Sequence, residues 1–180
     1  MRRFQAFALI VLCVLLASLA APAQKRKYGG AAKTANIVVE PIDTDALKNL
    51  ITQERQRPLL VNFWATFCDP CRDEFPDLVK IDKEYRPKGL DFIAITLDDL
   101  ADINTAVPKF LREMNARMPV YLLNVADPEP TINSIDSRWG GALPATFLYD
   151  NNGQVVYKHF GRVNTPELRA AIEKLVSSKQ

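Results

Sequence analysis

Two thiols lie three residues apart in the segment Trp64-Ala65-Thr66-Phe67-Cys68-Asp69-Pro70-Cys71, close enough to join as a disulfide and reopen. The apolar run Leu59-Leu60-Val61-Asn62-Phe63 just before them reads as a buried strand. A strand feeding straight into a helix leaves Cys68 near the helix N-terminus. Unpaired N–H groups and the helix dipole there favour a thiolate, the form that attacks disulfides. Asp69 opposes them, because a neighbouring carboxylate disfavours that charge.

Three chemistries compete for the pair. As a structural staple it does little, since closing so short a loop stabilises by about 2 kcal/mol in the chain-entropy description. As a zinc site it lacks ligands: closed sites use four, and the chain adds only one histidine, His159, on a predicted strand where it reads as an ordinary strand residue. A redox pair accounts for the spacing. Cys68, at the strand–helix junction, is then the more exposed thiol that attacks a partner, and Cys71, one turn in, the shielded thiol that resolves the mixed disulfide. Glu74, three residues after Cys71, falls on a nearby helix face. Its carboxylate can take the proton from Cys71 if burial raises its pKa; otherwise it is an exposed helix glutamate.

The N-terminus bears on compartment. Arg2 and Arg3 precede an almost wholly apolar stretch, residues 6–17, and Ala21-Pro22-Ala23 offers small residues for cleavage. This is the pattern of an export signal, expected over residues 1–23. An uncleaved signal anchor is the alternative. Residues 24–36, with Lys25-Arg26-Lys27 and a glycine pair, read as a flexible leader, and residues 37–180 as one domain. Removing residues 1–23 takes two arginines and no acid. The 23 Lys+Arg and 21 Asp+Glu of the whole chain thus become equal, which gives no support to nucleic-acid binding. Cys13 leaves with the signal, so no third thiol competes with Cys68 and Cys71.

The elements that must position these residues follow from periodicity. A short strand is expected at 37–39, a helix at 45–56 capped by Asp43 or Thr44, and a central strand at 59–65. A helix at 70–86 carries Phe75, Leu78, Val79 and Ile81 inward and should kink at Pro76. Further strands are expected at 90–97 and 119–125, separated by a helical stretch opened by Asp98 and Asp99 in which Pro108 should break or begin a segment. A short helix or turn at 131–136, a hairpin at 145–149 and 154–160, and a last helix at 165–177 complete the chain. Strands alternating with helices and ending in a hairpin plus helix imply a three-layer α/β domain around a mixed sheet.

The cysteine segment, continued by Arg72-Asp73-Glu74-Phe75-Pro76, resembles the active-site stretch of thioredoxin-fold proteins, specifically the exported TlpA/ResA-like thiol-disulfide oxidoreductases. Gly141-Ala142-Leu143-Pro144-Ala145-Thr146-Phe147 resembles their second signature. The resemblance implies a thioredoxin-like fold with an inserted helix–strand unit at 99–125. It implies that Cys68 is the nucleophile, Cys71 the resolving thiol, and Pro144 a cis-proline that binds substrate together with Leu143. Trp64 would pack beside the disulfide at the substrate site, and Glu74 matches a glutamate common near the family's active site. Two departures stand out. Asn62 replaces the buried aspartate of thioredoxin, which shifts proton handling to Glu74, and Phe67 stands where tryptophan is common.

The resulting expectation is an exported, periplasmic or extracytoplasmic reductase of other proteins' disulfides. It would need no cofactor or metal, be monomeric, and be recharged by a membrane thiol-transfer protein. Cytochrome c maturation is one role found in the family. A net oxidant of the DsbA type and a redox-inactive binding module are the rivals. A peroxidase fits less well, because Ala65 stands where a peroxide site needs threonine.

Overall fold

The computed structural model describes residues 37–177; the expected signal and leader, 1–36, lie outside the described residues. Strand β1 (Val39–Ile42) is followed by α1 (Thr44–Thr52), β2 (Leu59–Trp64), α2 (Asp69–Tyr85) and β3 (Asp91–Thr96). Then come α3 (Ala106–Glu113), β4 (Val120–Leu123), α4 (Glu129–Ile135), β5 (Ala145–Tyr149), β6 (Val155–Phe160) and α5 (Thr165–Ser177). Among the described residues, six strands form one sheet in the order β1-β4-β3-β2-β5-β6. The first four strands of that order pair in parallel, and β5 and β6 join antiparallel. The expected insertion is α3 and β4, and β4 enters the sheet between β1 and β3.

Strand alternation divides the core in two. Leu60 and Trp64 of β2 and Phe92 and Ala94 of β3 face a layer built from α2, α3 and α5, including Phe75, Leu78, Phe110 and Ile172. Leu59, Val61 and Phe63 face the other way, against Leu47 and Ile51 of α1, Ile132 of α4 and Trp139. With both faces covered, every residue of β2 is buried, which explains a run that is apolar except at Asn62.

Several expected boundaries are corrected. The first strand begins at Val39 and carries Pro41, which is tolerated because β1 is an edge strand paired only with β4. Helix α1 stops at Thr52, short of residue 56; the Arg55 side chain folds back to donate to the Leu50 carbonyl at 2.5 Å. Pro76 does not divide its helix: α2 runs through it, and because Pro76 is exposed, water can solvate the Arg72 carbonyl that loses its donor. Pro108, by contrast, begins a segment, one of its two expected roles: it sits in the first turn of α3, where a missing N–H breaks no helical bond.

Candidate active site

The β2–α2 junction makes Cys68 the N-cap of α2, with extended backbone angles, and its Sγ accepts the Cys71 N–H at 3.3 Å. The two sulfurs form a disulfide across a Cα–Cα distance of 5.3 Å, so the oxidised state is the one on view. Cys68 is 8 % exposed and Cys71 is fully buried. That ordering is what attack by the first and resolution by the second require. Once the bond is reduced, the same N–H and the helix N-terminus are placed to stabilise negative charge on Cys68.

The three residues linking β2 to Cys68 are clasped from the end of β3. Asp98, buried, accepts the Thr66 hydroxyl on Oδ1 at 2.5 Å and the Thr66 N–H on Oδ2 at 3.0 Å, and the Thr96 hydroxyl donates to Oδ2 as well. Arg72 Nη1 donates to the Thr66 carbonyl at 3.3 Å. Sequence reasoning missed this clasp, having read Asp98 only as a helix opener. A threonine and an aspartate 32 residues apart leave no local signal.

Trp64 requires a correction. It was expected at the substrate site, but it is fully buried, with its ring 4.8 Å from Phe75 and 4.9 Å from Phe110. As an inward residue of a central strand it supports the helix that carries the cysteines and has no surface to offer a substrate. Phe67 does: it is 73 % exposed, one residue before Cys68.

The Leu143–Pro144 bond is cis. Antiparallel register sets Ala145 opposite Phe63, so Pro144 enters β5 at the same end of the sheet at which the cysteine loop leaves β2. Pro144 is buried and Leu143 partly buried, packed against both halves of the core.

Glu74 is 1 % exposed, not the solvated helix glutamate of the alternative reading. Its Oε1 accepts Asn62 Nδ2 at 2.9 Å and its Oε2 accepts the Val163 N–H at 2.8 Å. Asn62 Nδ2 donates also to Thr146 Oγ1 at 3.1 Å, tying α2 to β2, β5 and the β6–α5 loop. Desolvation raises the Glu74 pKa above the ordinary carboxylate range, against the lowering effects of those two hydrogen bonds and the charge of Arg162. Among the described residues, Asn62 Oδ1 and the Tyr157 hydroxyl are buried without hydrogen-bond partners, and the Glu74 charge helps raise the Tyr157 pKa, after desolvation and Glu167. His159 lies on β6 opposite Thr146.

The Redoxin family model matches residues 32–175. The thiol-disulfide oxidoreductase ResA of a Bacillus cereus strain is 27% identical over 177 residues, covering 96% of this chain and 95% of that one. Among solved structures, a putative thiol:disulfide interchange protein DsbE from Chlorobium tepidum superposes with a TM-score of 0.56 at 27% identity, over 71% of this chain and 84% of that one. A thioredoxin-family thiol:disulfide interchange protein from Chlorobium tepidum TLS reaches a TM-score of 0.57 at 21% identity, over 79% and 98%. The latter is evidence for the fold alone.

Proposed function

The chain belongs to the Redoxin family, and on that premise we propose that it is a thiol-disulfide oxidoreductase reducing disulfides of other proteins. The observation that carries the proposal is the cysteine pair itself: one sulfur capping a helix and slightly exposed, the other bonded to it and fully buried.

In the reduced protein the Cys68 thiolate attacks a partner disulfide. A bond forms between Cys68 Sγ and one partner sulfur, and the other leaves as a thiolate and takes a proton from water. Cys71 then gives up its proton and attacks Cys68 Sγ, so that the Cys68–Cys71 disulfide forms and the second partner sulfur departs. The partner gains two electrons and two protons, and the enzyme is left oxidised. Glu74, one helical turn beyond Cys71, is the base proposed for the second step, its raised pKa bringing it toward the working pH. Pro144 and Leu143 are proposed to hold the partner chain beside Cys68, with Phe67 adding an apolar contact. Restoring the thiols requires a dithiol donor. Given the export pattern of residues 1–23, we place the protein outside the cytoplasm as a monomer, recharged by a membrane thiol-transfer protein.

The test is turnover and potential together. The reduced protein should reduce insulin or a scrambled disulfide protein, with dithiothreitol resupplying electrons. Equilibration against defined thiol–disulfide ratios gives direction: a potential near about −120 mV would make it an oxidant and overturn the reductase reading. No turnover, with both cysteines resistant to alkylation after reduction, would leave a binding module.

A further inference from the structure

At the C-terminal ends of β3 and β4 lies a cavity of about 470 Å³. Leu97, Leu100, Leu122 and Val125 give it apolar walls, and Asp98 and Asp99 line it from the β3 side. Loops at this end of a parallel sheet are the usual place for a ligand. The cavity is also mechanically part of the cysteine loop, since Asp98, which lines it, binds the N–H and hydroxyl of Thr66. Thr66 precedes Cys68 by two residues, a span of at most about 7 Å. Leu100, which lines the cavity, and Phe67, next to Cys68 in sequence, are both exposed large apolar side chains.

The surroundings are acidic and unneutralised. Asp98, Asp99, Asp102, Asp127 and Glu129 belong to the two segments that form the cavity and its margin, and no lysine or arginine occurs in residues 97–108 or 118–137. Among the described residues none of these five carboxylates enters an ion pair. Arg72 is turned to the Thr66 carbonyl and the Phe110 ring.

We propose that this cleft docks a basic segment of the disulfide-bearing partner, taking an apolar side chain between the leucines and lysine or arginine against the carboxylates. The proposal rests on the reductase reading and adds substrate selectivity to it. A chain bonded to Cys68 through its own cysteine passes the cleft within about three to five residues. Cysteines followed or preceded at that spacing by lysine or arginine are therefore the preferred targets. The acidic margin speeds encounter with such segments and slows acidic ones.

Two peptides test this. Each carries one cysteine as a neutral thiopyridyl disulfide and an identical apolar neighbour, with two lysines in one and two glutamates in the other, three to five residues from the cysteine. Release of thiopyridone by the reduced protein is timed, and each rate is expressed relative to that with neutral dithiodipyridine. The lysine peptide should react about tenfold faster at low ionic strength, with the ratio shrinking in 0.5 M salt. The Asp99→Asn/Asp127→Asn double variant should bring the ratio toward one. Asparagine keeps the oxygens that accept the Ala101 and Glu129 N–H groups, so the fold is spared. Equal rates for the two peptides, or a lysine preference unchanged in the double variant, would overturn the proposal. Failure with every disulfide, dithiodipyridine included, would instead strike at the exchange chemistry itself.

Discussion

Glu74 shows what a single carboxylate does when a helix turns it inward. Its position relative to Cys71 is readable from spacing; its partners are not, because Asn62 and Val163 lie 12 and 89 residues away in the chain. Replacing it with glutamine should slow exchange about hundredfold near neutral pH and flatten the pH–rate profile. An unchanged profile would remove its proposed role. The fold should survive, because a half-turn of the Asn62 amide lets its unpartnered oxygen accept from the new amide while Val163 keeps its acceptor. Stability carries a separate signature. A carboxyl whose folded pKa is raised binds its proton more tightly in the folded state. Its contribution is full below the unfolded pKa of about 4.3 and is lost as pH rises through the folded value. Urea unfolding over a pH series should therefore show wild type losing stability above about pH 4 more steeply than Glu74→Gln. Equal slopes would mean that the carboxyl titrates as it does in water.

At the scale of elements, β2 and α2 were legible because their signals are local: a run apolar but for Asn62 in a strand buried on both faces, and helical spacing behind two cysteines. Pro76 leaves its helix unbroken, and it lies on an exposed face where water can reach the carbonyl that it deprives of a donor. Trp64 misled because its neighbour in sequence, Phe67, is the ring that reaches the surface. The Asp98 clasp was invisible, being a contact between the ends of two strands. Asp98→Ala should strand the buried hydroxyl of Thr96 and the N–H of Thr66. A loss of about 1–3 kcal/mol in chemical denaturation is expected, with faster hydrogen exchange at Thr66. Asp98→Asn, which can still accept, should recover part of both. If the alanine variant exchanges no faster, the clasp does not hold the loop.

At the scale of the whole molecule, the alternation of elements fixed the layer architecture, whereas the strand order depends on long-range pairing that periodicity does not carry. The hairpin turn at Asn152-Gly153 was readable as a turn, but not its role as a fastening between halves of the chain. A Cβ on Gly153 would lie 2.0 Å from the Thr52 carbonyl oxygen, and its φ of +73° disfavours other residues. Gly153→Ala should lower stability by more than about 1–3 kcal/mol, read as a drop in melting temperature; an unchanged melting temperature would show that the α1 end can move aside. The function of the assembled molecule depends on an accessible sulfur with a second one waiting behind it. The most direct measurement is capture: Cys71→Ser and Cys68→Ser proteins, each reduced and mixed with a disulfide-containing protein, then analysed intact by mass. The Cys71→Ser protein should accumulate a mixed disulfide through Cys68 while the Cys68→Ser protein accumulates none. Capture by the Cys68→Ser protein alone would reverse the two roles, and capture by neither would contradict disulfide exchange.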